Sequence, residues 1–336
     1  MRGVVLTGFG GLDKVEYRDD LPDPRPAADE VVVRVAAACL NNTDVWTRQG
    51  AYSAGDEPTG WSGEPISFPR IQGADVAGHI HEAGFGVPDS RRGERVLIDP
   101  MVYTGGEREL VRPRYLGSEI DGGYAEFVAV PASNAHRIER RCGDAELATF
   151  PTAYLTALRM LERARVTRGE TTLITGASGG VGSALVQLCR VRGARTVAVT
   201  SPGKVEQVAR LGADTVLTRD ELRAAGPVDV VADVVGGPLL RELLDEIIRP
   251  LGRYVTAGAI AGPLVELDLR RLYLKQIELI GSSFGSHEDF SRLVELIENG
   301  SLRPLLAHTY PLAEFVRAQQ HFMRKDFVGN IALEMG

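Results

Sequence analysis

The sequence predicts an α/β protein in which an irregular β-barrel is joined to a doubly wound parallel sheet. Up to about residue 150, short β-prone runs are separated by Gly, Pro and Asp, whereas between about 153 and 286 strands alternate with amphipathic helices. The length of 336 residues also suits two domains better than one core. We therefore divide the chain into 1–150, 151–286 and a C-terminal return, 287–336, that completes the first domain.

Each element follows from a local pattern. The β-type runs of the first domain are Val31–Val35, Ala77–His81, Arg95–Ile98 and Ala125–Val130. The second domain opens with a strand through Leu173 and Ile174, and its later strands are Thr196–Ser201, Thr215–Thr218, Val228–Val235, Arg253–Gly258 and Ile277–Ser283. Ser286 and Asp289 predict a helix start, Gly300 its end, and Val328–Leu333 a final strand. The Gly- and Pro-rich stretch 50–70, which contains Trp61, is predicted to be a lid.

Composition restricts the class of partner and compartment. A net charge of −7 argues against nucleic acid and anionic membranes, so small molecules are the expected partners. Cys39, Cys142 and Cys189 lie far apart, without disulfide or zinc-knot spacing, which fits a reduced cytoplasm. His79 and His81 share one face of a predicted strand but have no third soft ligand nearby. The N-terminus lacks a cleavable apolar segment, and no run approaches the length of a membrane span, so we expect a cytoplasmic protein.

The central motif is a strand, a glycine-rich turn and a helix within Thr171–Gly182. Gly179 would let the backbone approach a pyrophosphate, Gly182 would let the helix pack on the strand, and the amides and dipole of the helix start would hold the anion. The first glycine of the usual fingerprint is replaced by Ala177. A tight turn without ligand is the alternative to a dinucleotide site. The predicted cradle comprises Ala177, Ser178, Gly179, Gly180, Val181 and Gly182.

Further pieces occur in order along the chain: Asn41–Asp44 with Arg48–Tyr52, then Gly73–Gly78, Gly93–Val96, Gly122–Glu126 and Thr152–Tyr154. With the β-rich first half and the Ala-x-Gly-x-x-Gly second half, they resemble the medium-chain dehydrogenase/reductase superfamily over nearly the whole chain. The quinone-reductase-like and enoyl-reductase-like branch is the most similar. The resemblance implies a GroES-like catalytic domain, 1–150, and a Rossmann-type NADP-binding domain, 151–286.

Zinc alcohol dehydrogenases of this superfamily hold their catalytic metal with a cysteine, a histidine and a further cysteine or acid. Here Asn41 stands where the cysteine would fall and Ala74 where the histidine would fall. The stretch 148–153 has no Cys, His, Asp or Glu, and Pro100–Gly117, the place of a structural-zinc lobe, has no Cys or His. The sequence therefore predicts an enzyme without a metal.

The expected cofactor is NADPH. An NAD enzyme places an acid about twenty residues beyond the glycine turn, at the end of the second strand. Here that strand runs into Thr200–Lys204, and the first acid is Glu206 in the following helix, so a 2′-phosphate would meet hydroxyls, a free backbone and the Lys204 ammonium. Arg219 and Lys325 lie near the cofactor in similar reductases. The remaining predicted contacts are Thr200, Ser201, Lys204, Arg219, Gly258, Ala259, Ser282, Ser283, Lys325 and Asn330.

Without a metal, hydride transfer from NADPH suits a double bond that is activated by a conjugated carbonyl. Tyr52 is the predicted proton donor or oxygen-polarising group, because similar enoyl reductases have a tyrosine at this spacing; packing of the lid is its alternative role. We expect Asn41 and Thr152 to line the site by hydrogen bonding substrate or nicotinamide. Asp44 is expected to hold its loop through backbone hydrogen bonds.

The chain is thus predicted to be an NADPH-dependent, zinc-independent reductase of a quinone or enone. Two alternatives stay open. An enoyl-thioester reductase would need a basic mouth, which Arg108, Arg112 and Arg114 offer unless they form a solvated loop face. A pyridine-nucleotide-binding protein without turnover is the other alternative. The apolar run Ile277–Ile280 at the last strand of an open sheet predicts a homodimer, unless the C-terminal helix covers it.

Overall fold

A computed structural model describes residues 1–53, 57–106, 109–111 and 113–336, the side chain of residue 111 excepted. The chain divides into two compact units. The first unit comprises Met1–Thr152, Ser286–Asp326 and Asn330–Gly336, and the second comprises Ala153–Gly285 and Phe327–Gly329. The C-terminal return therefore belongs to the first unit, except for one tripeptide.

The elements are numbered along the chain. The strands are β1 (Gly3–Leu6), β2 (Val15–Arg18), β3 (Glu30–Cys39), β4 (Arg70–Ile71), β5 (Asp75–Ala83), β6 (Arg95–Ile98), β7 (Met101–Val102), β8 (Arg114–Tyr115), β9 (Phe127–Pro131), β10 (Ala135–Arg137), β11 (Thr171–Ile174), β12 (Arg195–Thr200), β13 (Thr215–Thr218), β14 (Val228–Asp233), β15 (Ile248–Thr256), β16 (Glu278–Gly281), β17 (Leu306–Pro311) and β18 (Asn330–Glu334). The α-helices are α1 (Asn42–Gln49), α2 (Asp144–Leu147), α3 (Pro151–Arg163), α4 (Gly180–Arg192), α5 (Val205–Ala209), α6 (Leu239–Glu242), α7 (Leu269–Lys275), α8 (His287–Glu298) and α9 (Phe315–Arg324). Within the described residues, no helix combines the length and the apolar character that a membrane span requires.

The first unit is built around β3. Its sheet has the order β10-β6-β5-β3-β18-β17, and β9 also pairs with β3. The strand is longer than the predicted Val31–Val35, because Ala37–Cys39 pair with β18 on one side and β5 on the other. Alanines are weak strand formers, so this end of β3 depends on its tertiary partners rather than on propensity.

The second unit contains a parallel six-stranded sheet of order β13-β12-β11-β14-β15-β16. The chain builds outward from β11 to one side and then from β14 to the other, which is the doubly wound arrangement. All residues of β14 are buried, as expected for a parallel strand covered on both faces. One part of its core packs Leu173, Val231, Leu243 and Tyr254 together. The predicted fold class is confirmed.

The elements whose boundaries differ from the predictions are mainly strands, at the residues where they pair with neighbouring strands. The last strand begins at Asn330 rather than Val328, and β15 begins at Ile248, five residues before the predicted Arg253. The start of α8 is confirmed, since the Ser286 side chain accepts a hydrogen bond from the Asp289 amide in a capping box.

Candidate active site

The glycine-rich turn joins β11 to α4. Gly176 has a φ of 59°, and its carbonyl accepts a hydrogen bond from the Gly179 amide at 3.0 Å. A Cβ placed on Gly182 would lie 2.2 Å from the Gly176 carbonyl oxygen. Only glycine therefore lets the helix approach the turn this closely.

The start of α4 is suited to an anion. Gly179 is the N-cap residue, and no side chain within the described part of the chain caps this end. A Cβ on Gly179 would have one neighbour, the Gly176 carbonyl oxygen at 3.5 Å, so the space beside the turn is open. The amides of residues 180–182 have no intrahelical acceptor, and the helix dipole adds positive potential. This geometry fits a pyrophosphate group.

The carboxyl ends of the neighbouring strands lie along the same edge, because the six strands are parallel. The Ala177 amide donates to the Val199 carbonyl at 3.1 Å, which holds the turn beside the end of β12. The hydroxyl oxygens of Thr200 and Ser282 are buried there without a hydrogen-bond partner among the described residues. Unpaired buried hydroxyls are costly, so a polar ligand along this edge would satisfy them. The edge therefore fits the predicted dinucleotide.

The end of β15 is held close to β14, and the end of β16 is held close to β15. A Cβ on Gly258 would lie 2.9 Å from the Val234 carbonyl oxygen, and the Ser282 amide donates to the Thr256 carbonyl at 2.8 Å. The predicted contacts that the second unit brings to one sheet edge are Ala177, Ser178, Gly179, Gly180, Val181, Gly182, Thr200, Ser201, Lys204, Arg219, Gly258, Ala259, Ser282 and Ser283.

Cations follow both β12 and β13. Lys204 ends a short 3₁₀ turn, Pro202–Lys204, directly after β12, and the exposed Arg219 begins the segment after β13. The carboxylate of Glu206 is paired with Arg210 at 2.5 Å. Lys204 and Arg219 are the cationic side chains that an anionic group would meet here, and Asp220 and Glu221 follow Arg219 directly.

Two predicted cofactor residues belong to the first unit instead. The exposed Lys325 ammonium donates to the Asn42 side-chain oxygen at 2.9 Å and lies over the Phe322 ring. Asn330 is buried in β18, and its backbone amide donates to the Leu305 carbonyl at 2.9 Å. This contact is made by the backbone, so the role of the Asn330 side chain as a cofactor ligand stays a prediction.

A buried carboxylate, Asp75, joins two of the predicted catalytic residues. Its Oδ2 accepts from the Asn41 side-chain amide at 2.9 Å. Its Oδ1 accepts from the Thr152 backbone amide at 2.8 Å and from the Thr152 hydroxyl. Burial raises the pKa of Asp75 to about 6, although these hydrogen bonds oppose the shift. Asn41 and Thr152 are thus fixed on one carboxylate.

A second buried carboxylate, Asp44, lies in the first turn of α1. Its Oδ2 accepts from the Asn41 backbone amide at 2.6 Å and from the Tyr124 hydroxyl at 2.6 Å. Burial raises the pKa of Asp44 to about 7, against the effect of these hydrogen bonds. These contacts hold the loop at the start of α1, as predicted for Asp44.

Tyr52 lies just beyond α1, and its ring packs edge-on against Trp46 with a centroid distance of 5.9 Å. Burial raises the pKa of the Tyr52 phenol, and the nearby charges of Asp44 and Glu119 add to the effect. The phenol therefore keeps its proton at neutral pH and is able to donate a hydrogen bond. Residues 54–56 of the predicted lid lie outside the described part of the chain.

The residues at the expected metal position do not fit a zinc ion. The Asn41 side-chain amide nitrogen already donates a hydrogen bond to Asp75, and the Ala74 side chain has no atom that binds a metal. Among the described residues, no group of three or more His, Cys, Asp or Glu side chains is arranged to hold a metal. A catalytic zinc needs three such ligands. His81 is exposed beside Phe127, with a ring distance of 5.0 Å.

Sequence reasoning missed the contacts of Asp75 with Asn41 and Thr152 and the contact of Tyr124 with Asp44. Asp75 and Tyr124 do lie in the pieces Gly73–Gly78 and Gly122–Glu126 that support the family resemblance, which was the available signal. Of the three arginines of the predicted basic mouth, Arg108 and Arg112 lie outside the described residues, and Arg114 is exposed on β8.

Two family models match the chain. One is described as an alcohol dehydrogenase GroES-like domain and covers residues 27–140, and the other is described as a zinc-binding dehydrogenase and covers residues 180–299. With the barrel-like first unit and the parallel sheet of the second, they define the class of the protein as an oxidoreductase.

Individual relatives extend over nearly the full length. An acryloyl-coenzyme A reductase of Metallosphaera sedula is 30% identical over 346 residues and covers 99% of each chain. A quinone oxidoreductase of Mus musculus is 29% identical over 339 residues, covering 95% of this chain and 93% of its own. The crystal structure of a putative alcohol dehydrogenase from Sinorhizobium meliloti superposes with a TM-score of 0.95 at 52% identity, over 99% of this chain and 96% of that one. The chain belongs to the medium-chain dehydrogenase/reductase superfamily.

Proposed function

We propose that the protein is an NADPH-dependent, zinc-independent reductase of conjugated carbonyl compounds, either quinones or enones. The observation that carries this proposal is the hydrogen-bonded set Asn41, Asp75 and Thr152. These residues bind one another at the position where zinc members hold the metal, and they do not fit a zinc ion. The substrate must therefore be electrophilic without a Lewis acid, and conjugation with a carbonyl group provides that property.

The second unit is the cofactor-binding part of this proposal. The amides of residues 180–182 bind the pyrophosphate, and Ser201, Lys204 and Arg219 bind the 2′-phosphate. When bound, the nicotinamide supplies the hydride. NADPH is favoured over NADH because β12 runs into Thr200–Lys204 without an acidic side chain, which would hydrogen-bond the ribose hydroxyls and repel a phosphate.

The first unit orients and polarises the acceptor. Tyr52 donates a hydrogen bond to the carbonyl oxygen, and this bond strengthens as negative charge grows there. Asn41 and Thr152 keep one orientation because both are fixed on Asp75. The role of the protein in this reaction is therefore orientation and hydrogen bonding.

The names of two relatives support this class of acceptor. Acryloyl thioesters and quinones both have a double bond conjugated with a carbonyl group, and the two relatives are named for acting on them. An enoyl-thioester substrate is a second candidate for this chain, favoured by the acryloyl-coenzyme A reductase match over 99% of both chains. The exposed Arg114 would then contribute to binding the phosphates of the carrier.

Stopped-flow oxidation of NADPH tests the proposal, with enones, quinones and enoyl-coenzyme A thioesters as acceptors and simple alcohols with NADP⁺ as the reverse-direction control. We expect turnover with at least one conjugated acceptor and none with the alcohols. Binding of NADPH without turnover on any acceptor would identify a nucleotide-binding protein instead.

Metal removal gives the first prediction. Because the residues at the metal position do not fit zinc, prolonged dialysis against a strong chelator should leave turnover unchanged, and elemental analysis should show no stoichiometric zinc. Activity that is lost to the chelator and restored by added zinc would contradict the zinc-independent part of the proposal.

A further inference from the structure

We propose that Thr43, Tyr115 and Thr152 form a proton relay that connects the buried Asp75 carboxyl to the substrate, with Thr43 as the residue that touches the reacting molecule. The proposal rests on the proposed function, because reduction of an enone needs a proton in addition to a hydride. It names the residues that deliver this proton.

The relay is a continuous series of hydrogen bonds within the first unit. The Thr152 hydroxyl donates to Asp75 Oδ1, the Tyr115 hydroxyl lies 3.1 Å from Thr152 Oγ1, and Thr43 Oγ1 lies 3.4 Å from the Tyr115 hydroxyl. Asp75, Tyr115 and Thr152 are 1%, 2% and 5% exposed, whereas Thr43 is only half-buried. The series therefore runs from the interior of the unit to an accessible residue at the start of α1.

The protonation state of Asp75 decides the direction of every bond in this series, because each hydroxyl has one proton to donate. With Asp75 ionised, Thr152 donates to the carboxylate, Tyr115 to Thr152, and Thr43 to Tyr115. With Asp75 protonated, the carboxyl donates to Thr152 Oγ1, Thr152 donates to Tyr115, and Tyr115 donates to Thr43. Only the second arrangement leaves Thr43 with a proton directed to the substrate.

The chemical step is balanced. Hydride arrival at the β-carbon of an enone leaves an enolate. The enolate takes the Thr43 hydroxyl proton. Thr43 is then reprotonated by Tyr115, Tyr115 by Thr152, and Thr152 by Asp75. In each transfer one O–H bond breaks and one new bond to hydrogen forms. Asp75 is left as a carboxylate and regains a proton from water through the same residues in the opposite direction. No further oxidant or reductant is required.

The surroundings of Asp75 favour a retained proton. The titratable groups around it include Asp44 on α1, Cys39 on β3, Tyr115 on β8 and Tyr124 before β9, none of which is cationic. Two buried carboxyl groups in one region disfavour double ionisation. The raised pKa values of Asp75, about 6, and Asp44, about 7, agree with a proton held there near neutral pH.

Tyr124 provides a matched control for Tyr115. Both phenols are buried and hydrogen bonded, but the Tyr124 hydroxyl donates to Asp44 at 2.6 Å, lies 3.1 Å from the Cys39 carbonyl oxygen and takes no part in the series. Tyr115→Phe and Tyr124→Phe therefore remove comparable buried hydroxyls. Only the first change interrupts the relay.

The test compares two acceptors, methyl vinyl ketone and 9,10-phenanthrenequinone, at saturating NADPH. Tyr115→Phe and Thr152→Val should lower kcat for the ketone by about a hundredfold, the lower end of the range for a positioned proton donor, with little change in KM. Turnover of the quinone should be nearly unchanged, because its reduced oxygens take protons from water. Thr152→Ser should restore ketone turnover, and Tyr124→Phe should retain it. Asp75→Asn should abolish the rise in ketone turnover as the pH falls through about 6.

In the kinetic test, two outcomes overturn the relay: full ketone turnover in Tyr115→Phe, or equal losses with ketone and quinone, which would indicate structural damage. If the wild-type protein reduces no conjugated acceptor of the panel, the proposed function fails, and the relay is judged by infrared titration of the carboxyl stretch. The relay is supported if the spectrum shows a protonated carboxyl that disappears in Asp75→Asn. In Thr152→Val this carboxyl should titrate at a higher pH, because the Thr152 hydroxyl no longer stabilises the Asp75 carboxylate. A wild-type spectrum without that carboxyl overturns it.

Discussion

Tyr52 is half-buried, and its phenol combines partial loss of hydration with the charge of a nearby carboxylate, Asp44. Both raise the pKa of the phenol, so it acts as a persistent hydrogen-bond donor and a poor acid. A donor of this kind stabilises negative charge that develops on a carbonyl oxygen during the reaction more than it stabilises the neutral substrate. Its role in the proposed reaction is therefore distinct from proton delivery by the relay.

The prediction for Tyr52→Phe is a fall in kcat with a nearly unchanged KM for the acceptor. We expect about a hundredfold loss on enones, at the lower end for positioned acid and donor groups, because water also reaches the oxygen. Quinones, which spread charge over both oxygens, should lose less. Steady-state kinetics on both acceptors provide the measurement. Unaltered turnover on both would assign Tyr52 to packing against Trp46.

Lys204 is the residue on which cofactor preference should depend. Loss of one charge-assisted contact to the 2′-phosphate is worth about 1.5–3 kcal/mol, or about tenfold to over a hundredfold in affinity. Lys204→Ala should therefore raise the KM for NADPH much more than the KM for NADH, whereas Lys204→Arg should keep most of the preference. An equal change for both cofactors would show that Lys204 does not contact that phosphate.

At the scale of elements, the join between β11 and α4 depends on one close approach. A Cβ on Gly182 would lie 2.2 Å from the Gly176 carbonyl oxygen. A backbone atom cannot move aside as the end of a flexible side chain can. Gly182→Ala should lower the free energy of unfolding by about 1–3 kcal/mol, as for overpacking elsewhere, and weaken dinucleotide binding. Gly8→Ala, where a Cβ would meet no atom within 4 Å, is the control. Denaturant titration and cofactor fluorescence measure the two effects, and wild-type values for both would refute the close approach.

At the scale of the whole molecule, the sheet of the second unit ends at β16, where Leu279 is 40% exposed. Exposed apolar side chains continue along α7, with Tyr273 at 62% and Leu274 at 73%. An open edge beside an apolar surface favours pairing with a second copy. We therefore predict a homodimer of this 36.3 kDa chain.

Light scattering at micromolar concentration measures the assembly. Leu279→Lys should give a monomer, because a lysine on an edge strand opposes pairing. Phe85→Lys, at a side chain that is 94% exposed in the first unit, should leave the dimer intact. A monomeric wild-type protein would contradict the prediction.

The sequence alone determined the features that depend on local order. The glycine turn could be recognised because its geometry is set within Thr171–Gly182, and the doubly wound sheet because strands and helices alternate along the chain. The departure from zinc ligands was also visible, since Asn41 and Ala74 are single positions within recognisable pieces.

Only the tertiary structure decided which residues act together in the first unit. Asp75 is 34 positions from Asn41 and 77 from Thr152, and no local pattern signals that one carboxylate binds both. The same holds for Tyr115, which the folded β-sheet unit places between Thr43 and Thr152. Asn330 is a further example, because the pairing of its backbone amide with the Leu305 carbonyl arises only in the folded chain. Periodicity and turn chemistry are short-range properties, whereas burial and hydrogen-bond partners are set by contacts between segments far apart in the chain.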